Sequence, residues 1–254
     1  MAKPYNQIVL FGDSLFQGAS EVQDGFSFQG ALQSYCMRYL DVINRGFSGY
    51  NTKNAVELLP QIFLPPSPSN PKIEYLLVLL GANDACLPIP TNTQGVPIDE
   101  YKENLVKIIT HDHIKAHNAK ILLVTPPPVD EIRITALDLA MGHPQATRQA
   151  AVSAAYSETA RKVAADIPGV EIIDLHKAIM DEAISLTPDF DANGPALGCP
   201  GGKRGALEQL LPDGLHMSGK AYRVFLDIVK PHIGPFPARQ AVFPDWRVMN
   251  PGTI

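Results

Sequence analysis

The chain has 254 residues, of which 45% are hydrophobic and 19% charged, and its 21 Lys and Arg against 26 Asp and Glu leave a net charge of −5. A mildly acidic chain with no Lys/Arg cluster excludes the electrostatic footprint of a nucleic-acid binder or of a protein drawn to an anionic membrane, and no run of ~18 apolar residues is present to span a bilayer. The length suffices for one substantial α/β core.

Cys36, Cys86 and Cys199 are odd in number and far apart, so they make neither a disulfide framework nor a metal-binding pair. Free thiols suit a reducing compartment. The start of the chain is short and polar, and its first apolar run is too brief for a secretory signal. A cytoplasmic protein is expected.

That first run, residues 8–11, has the composition of a buried parallel strand. It leads directly into Gly12-Asp13-Ser14-Leu15. Residues 26–39 show helical spacing. A second strand is predicted at 41–44, followed by the loop Asn44-Arg45-Gly46-Phe47-Ser48-Gly49-Tyr50-Asn51 and a helix at 52–62. The proline-rich stretch 60–72 reads as a loop. The third strand, 75–80, runs into Gly81-Ala82-Asn83-Asp84. A helix at 98–116 carries His111, His113 and His117. Strands at 120–125 and 170–174 then alternate with helices at 145–166 and 175–184. Residues 187–212 are rich in Gly and Pro and lead into Asp213-Gly214-Leu215-His216. Ser218 is placed to cap a last helix bearing Tyr222, Phe225, Leu226 and Val229 on one face, which Pro231 ends. Residues 234–254 contain Pro235, Pro237, Pro244 and Pro251 and are read as a tail without regular helix. The domain is expected to cover 1–233, with the 234–254 tail packed on it or on a neighbouring subunit.

Strands alternating with helices predict βαβ units, hence a parallel sheet covered on both faces. Ligands bind such sheets beyond the carboxyl ends of the strands. Three predicted strands end there in residues suited to acyl transfer. Ser14 offers a hydroxyl, a helical turn after it would direct free N–H groups at a substrate, Gly49 can bring its backbone N–H close, and the Asn83 amide can donate without carrying charge. Asp213, three residues before His216 across a Gly turn, can fix the imidazole tautomer and steady the imidazolium. Each motif alone also fits a turn or a cap. Together they supply a nucleophile, a base, an orienting carboxylate and oxyanion donors. Asp13 and Asp84 are read as supporting residues.

In order, Gly12-Asp13-Ser14-Leu15, Gly49, Gly81-Ala82-Asn83-Asp84 and Asp213-Gly214-Leu215-His216 resemble the four motif blocks of the SGNH or GDSL hydrolases, and the text around Asn44–Tyr50 and His216-Met217-Ser218 is most similar to the isoamyl acetate-hydrolysing esterase branch. The resemblance covers about residues 8–229. It implies a three-layer α/β/α sandwich with a five-stranded parallel sheet in the flavodoxin-like order 2-1-3-4-5. It implies Ser14 as nucleophile, His216 as base with Asp213 as partner, and an oxyanion hole of the Ser14 and Gly49 N–H groups with the Asn83 side chain. The expected reaction is hydrolysis of carboxylic esters, with short-chain acyl (acetate) esters foremost, and with no cofactor. A carbohydrate deacetylase, a lysophospholipase or thioesterase, or an inactive ligand-binding module fits the same framework.

No Gly-x-Ser-x-Gly elbow is present, which disfavours the α/β-hydrolase layout. Gly12 to Gly18 matches neither nucleotide-binding glycine pattern. His113 and His117 have a spacing that can hold a metal, but no Glu stands between them. They are read as an exposed polar face and no metal site is expected. The expected partner is a small ester. The tail around Trp246, which suggests a segment laid across an apolar groove, leans toward a homodimer. Whether 187–212 or 234–254 lines the substrate pocket stays open.

Overall fold

The computed structural model describes residues 4–68, 70–237, 241–250 and 252. The five apolar runs form β1 (Asn6–Gly12), β2 (Leu40–Gly46), β3 (Ile73–Leu79), β4 (Lys120–Val124) and β5 (Val170–Ile173). All four pairings are parallel, in the order β2-β1-β3-β4-β5.

The period-2 alternation of a strand explains why these runs are apolar throughout. Ile8 and Leu10 point into one core, and Val9 and Phe11 into the other; Leu77 and Leu79 oppose Leu76 and Val78 in the same way. The strand ends are in register, with Gly12 paired to Gly46 on one side and to Leu79 on the other. The residues that follow these three strands therefore emerge along one edge.

The helices are α1 (Ser14–Gln17), α2 (Phe28–Tyr35), α3 (Thr52–Ile62), α4 (Ile98–Ile109), α5 (Asp112–Lys115) and α6 (Glu131–Ala140). They continue with α7 (Ala150–Asp166), α8 (Leu175–Ser185), α9 (Leu207–Leu210), α10 (Gly219–Val229) and α11 (Trp246–Met249). Leu32 of α2, Ile179 of α8 and Phe225 of α10 cover one sheet face; Leu59 of α3, Leu105 of α4 and Val163 of α7 cover the other. This is the three-layer sandwich expected.

Several elements differ from expectation. The helix expected at 98–116 breaks at Thr110, and His111 caps a separate short α5 by accepting the His113 N–H. His117 is buried at 1% exposure, not on a polar face. Its Nδ1 accepts the Ile73 N–H at 3.0 Å and its Nε2 bonds the Leu64 carbonyl at 2.8 Å, while His113 Nδ1 bonds the Phe63 carbonyl at 2.7 Å. These histidines anchor the loop after α3, and both nitrogens of His117 are spent on it. Three helices were not expected: α6, capped by Asp130; α9, inside the irregular 187–212 stretch; and α11, in the tail read as lacking regular helix.

In the tail, α11 forms between Pro244 and Pro251, capped by Asp245. Residues 238–240, 251, 253 and 254 of the expected tail lie outside the described residues. Phe236 packs on Tyr35 and Tyr39 with ring centroids 5.4 and 4.9 Å apart, and the Val242 N–H donates to the Arg38 carbonyl. Trp246, expected to lie in an apolar groove, is 52% exposed. The groove at this end of the sheet, a cavity of about 420 Å³, is lined by Phe236 and Pro237 of the tail together with Tyr39 and Tyr75.

Candidate active site

Ser14 opens α1 directly behind β1. Asp13 caps that helix, its Oδ1 accepting the Leu15 N–H at 2.9 Å. The chain from β2 is tied to the same spot. The Phe47 N–H donates to the Gly12 carbonyl at 2.8 Å, and the Ser48 N–H donates to Gln17 Oε1 at 2.8 Å. Gly49 adopts φ +82°, a left-handed conformation that favours glycine. Gln94 Nε2 holds it by donating to its carbonyl at 3.1 Å.

Asn83 comes from the turn after β3. Its Nδ2 donates to the Tyr50 carbonyl at 2.8 Å, which places its amide beside the Gly49 loop. Asp84, next in the chain, turns away from this group. It accepts the Thr52 N–H at 3.0 Å and the Thr52 hydroxyl at 2.5 Å, and so braces the start of α3.

Residues 202 positions apart then meet. Ser14 Oγ lies 2.9 Å from His216 Nε2, and His216 Nδ1 lies 2.6 Å from Asp213 Oδ2. The other Asp213 oxygen accepts the backbone N–H groups of Leu215 and His216 at 2.9 and 2.7 Å. The union depends on α10, which starts just after His216 with Ser218 as its cap. Tyr222 of α10 donates its hydroxyl to the Leu15 carbonyl at 2.5 Å, and Phe225 stacks on Phe16 and Phe28. All three phenylalanines are fully buried. Each burial contributes about 1.5–3 kcal/mol toward holding the late helix on the early one.

Charge sets the tautomer. Burial works to raise the Asp213 carboxyl, but the bonds from the His216 ring and the two backbone N–H groups outweigh it and hold the carboxyl down to about 2. An ionised carboxylate only accepts, so the proton between the two side chains sits on Nδ1. Nε2 is then an acceptor facing the serine hydroxyl. The bond from Asp213 raises the imidazole above its ordinary value, against the opposing effect of burial. Beneath the pair, burial pushes Asp13 up to about 7, partly offset by the Leu15 N–H; its second oxygen has no hydrogen-bond partner among the described residues. Burial likewise lifts Asp84 to about 6 against its bonds to Thr52.

Three donors remain over at this edge. The Ser14 and Gly49 N–H groups and the second amide hydrogen of Asn83 make no hydrogen bond among the described residues. The arrangement thus offers a hydroxyl with its proton toward an acceptor nitrogen, beside donors suited to a developing negative oxygen.

All seven residues singled out from the sequence fall in this region, with Ser14, Asp213 and His216 in direct contact. Arg148 was missed. It approaches Asn83 from the loop before α7 at 2.8 Å, and no spacing or motif in the sequence marks it. Asp130 and Arg204 were also missed. Their side chains pair at 2.5 Å, and the Asp130 N–H donates to the Gly214 carbonyl at 2.8 Å, which braces the turn that carries Asp213 and His216. Among the described residues no three His, Cys, Asp or Glu side chains cluster as metal ligands would, and no helix is long and apolar enough to cross a membrane.

The sequence profile of the GDSL-like lipase/acylhydrolase family matches residues 10–224. The isoamyl acetate-hydrolyzing esterase of Saccharomyces cerevisiae is 30% identical over 232 residues, spanning 88% of this chain and 84% of that protein. The isoamyl acetate-hydrolyzing esterase 1 homolog of Bos taurus is 28% identical over 252 residues, spanning 95% and 87%. Among solved structures, a lipase/acylhydrolase from Enterococcus faecalis superposes with a TM-score of 0.59 at 22% identity, covering 92% of this chain and 100% of that one. An acetyl xylan esterase superposes with a TM-score of 0.64 at 18% identity, covering 90% and 100%. The two structures share the fold, and the family match extends from the first strand into α10: the chain belongs to the GDSL-like lipase/acylhydrolase family and is a carboxylic ester hydrolase.

Proposed function

We propose that this chain hydrolyses short-chain carboxylic esters, acetates foremost, through an acyl-enzyme on Ser14. The observation that carries the mechanism is the 2.9 Å approach of Ser14 Oγ to His216 Nε2. The yeast relative's name, an isoamyl acetate-hydrolyzing esterase, supports the acetate preference.

His216 takes the hydroxyl proton as Ser14 Oγ bonds to the ester carbonyl carbon. The negative oxygen of the tetrahedral intermediate is held by the Ser14 and Gly49 N–H groups and the Asn83 amide. Its collapse breaks the bond to the alcohol, which leaves with the proton from His216. Water then gives a proton to His216 and attacks the acyl carbon. The acid departs as the proton returns to Ser14. Asp213 keeps Nε2 facing the hydroxyl and balances the imidazolium charge. Asp13 and Asp84 support the loops and touch no reacting atom. Residues 1–233 act as the catalytic domain, and the described part of the 234–254 tail packs on its far end.

Ser14→Ala is expected to abolish turnover of p-nitrophenyl acetate and labelling by a fluorophosphonate probe, with the fold retained by circular dichroism. Undiminished turnover or labelling in that variant would end the proposal. Across acetyl, butyryl and octanoyl esters, kcat/KM is expected to be highest for acetyl; a preference for octanoyl would overturn the substrate assignment alone.

A further inference from the structure

Arg148 stands outside every motif of the family resemblance, yet it makes a two-pronged contact under the site. Its Nε donates to the Ala82 carbonyl at 2.9 Å and its Nη2 to Asn83 Oδ1 at 2.8 Å. These two donors lie on one edge of the planar guanidinium, so they act as a rigid fork on consecutive residues. The loop that carries Arg148 is itself fastened. The Thr147 N–H donates to the buried Asp138 carboxylate at 2.5 Å, and the Thr147 carbonyl accepts the Leu87 N–H at 2.8 Å.

A side-chain amide can be placed in two ways, related by a half turn that exchanges oxygen and nitrogen. Here chemistry allows only one. Arg148 is a pure donor and demands the amide oxygen; the Tyr50 carbonyl is a pure acceptor and demands the nitrogen, 2.8 Å away. One amide hydrogen is then left over. Resting on the reading that this hydrogen meets the substrate's oxyanion, we propose that Arg148 is a positioning residue that locks Asn83 with its donor, not its oxygen, toward the reacting carbonyl. Its positive charge on Oδ1 also polarises the amide and strengthens the N–H as a donor. Without Arg148 no donor among the described residues holds the oxygen side, and only the Tyr50 carbonyl opposes a half turn that would set a lone pair against the developing negative charge.

The test is a double-mutant cycle of Arg148→Ala and Asn83→Ala, with kcat and KM for p-nitrophenyl acetate measured separately. Loss of one oxyanion donor is expected to lower kcat about 10²–10³-fold in Asn83→Ala. Arg148→Ala is expected to give part of that loss, about 10- to 100-fold in kcat with KM within about two-fold, because the contact matters in the transition state and not in ground-state binding. In the Asn83→Ala background the same change is expected to alter kcat by less than about two-fold. Arg148→Lys, which keeps the charge but not the fork, should fall between wild type and Arg148→Ala, and it replaces Arg148→Ala in the cycle if that variant folds poorly. An equal loss in both backgrounds, or an unchanged kcat in the single variant, overturns the role of Arg148 and leaves Asn83 as a donor. Full kcat in Asn83→Ala would overturn both.

Discussion

Asp213 and His216 owe their protonation states to each other. The carboxylate, held at about 2, is charged throughout the working range, and its bond to Nδ1 lifts the imidazole above its ordinary value. The form that can accept the serine proton is the neutral one. The acid limb of the kcat/KM profile is therefore expected to fall at a pH above the ~6.5 of a free imidazole. Other charges facing the ring act in opposite directions: Asp13 pulls it up and Arg148 pulls it down. Asp213→Asn removes the leading upward pull and permits the wrong tautomer. Its acid limb should move down, and its kcat should fall roughly 10³–10⁴-fold. A profile measured from pH 5 to 9 for both proteins checks this; an unmoved limb would disconnect Asp213 from the base. The side chains proposed as catalytic are legible in the sequence because each follows a strand end or sits in a three-residue Asp–His spacing. Arg148, Asp130 and Arg204 are not, because each acts on a partner at least 65 residues away, and only folding makes them neighbours.

Among the elements, the turn from Asp213 to His216 has little room. Gly214 has φ +93°, and a Cβ there would stand 2.8 Å from the Asp130 carbonyl oxygen and 2.8 Å from Ile134 Cγ1 of α6. Gly214→Ala combines a strained backbone with a clash against main chain that cannot step aside. It is expected to cost about 1–3 kcal/mol of stability and to lower kcat by displacing His216. Urea unfolding beside p-nitrophenyl acetate kinetics would show both, and a variant as stable and active as wild type would refute the crowding. The helix expected at 52–62 has the bounds of α3, and Asn51 and Asn54 form a reciprocal cap on its amphipathic stripe. By contrast, α6 went unread. It buries Ile134 and Asp138 among partly exposed neighbours, with Leu139 at 53% exposure, so its apolar spacing is weak. Its Asp130 cap was the usable signal. The break between α4 and α5 likewise leaves little trace in the pattern, because the capping atom is a histidine ring nitrogen, which sequence rules for caps do not anticipate.

Across the whole molecule the two ends of the sheet do different work. The described part of the tail lies at the amino ends of β1, β2 and β3, where Phe236 meets Tyr35 and Tyr39 and Asp245 pairs with Arg38 at 3.3 Å. Ser14, Gly49 and Asn83 follow the carboxyl ends. Ending the chain after Gly234 should therefore lower the melting temperature by several degrees, through loss of the apolar contact of Phe236, and leave kcat/KM for acetate esters within about two-fold. A collapse of activity at intact fold would place the tail at the site. The layer order, the strand positions and the side chains that meet at the carboxyl edge were all determined by the sequence, because strand period, helix spacing and the rule for parallel sheets are local or topological and leave their mark in the text of the chain. The tertiary structure alone decided which way the Asn83 amide faces and what grips its oxygen, which stretch packs away from the site, and how a hydroxyl and an imidazole 202 residues apart come to 2.9 Å. Those outcomes rest on contacts between distant segments, and the free energy of such contacts depends on shape complementarity that no single window of residues contains.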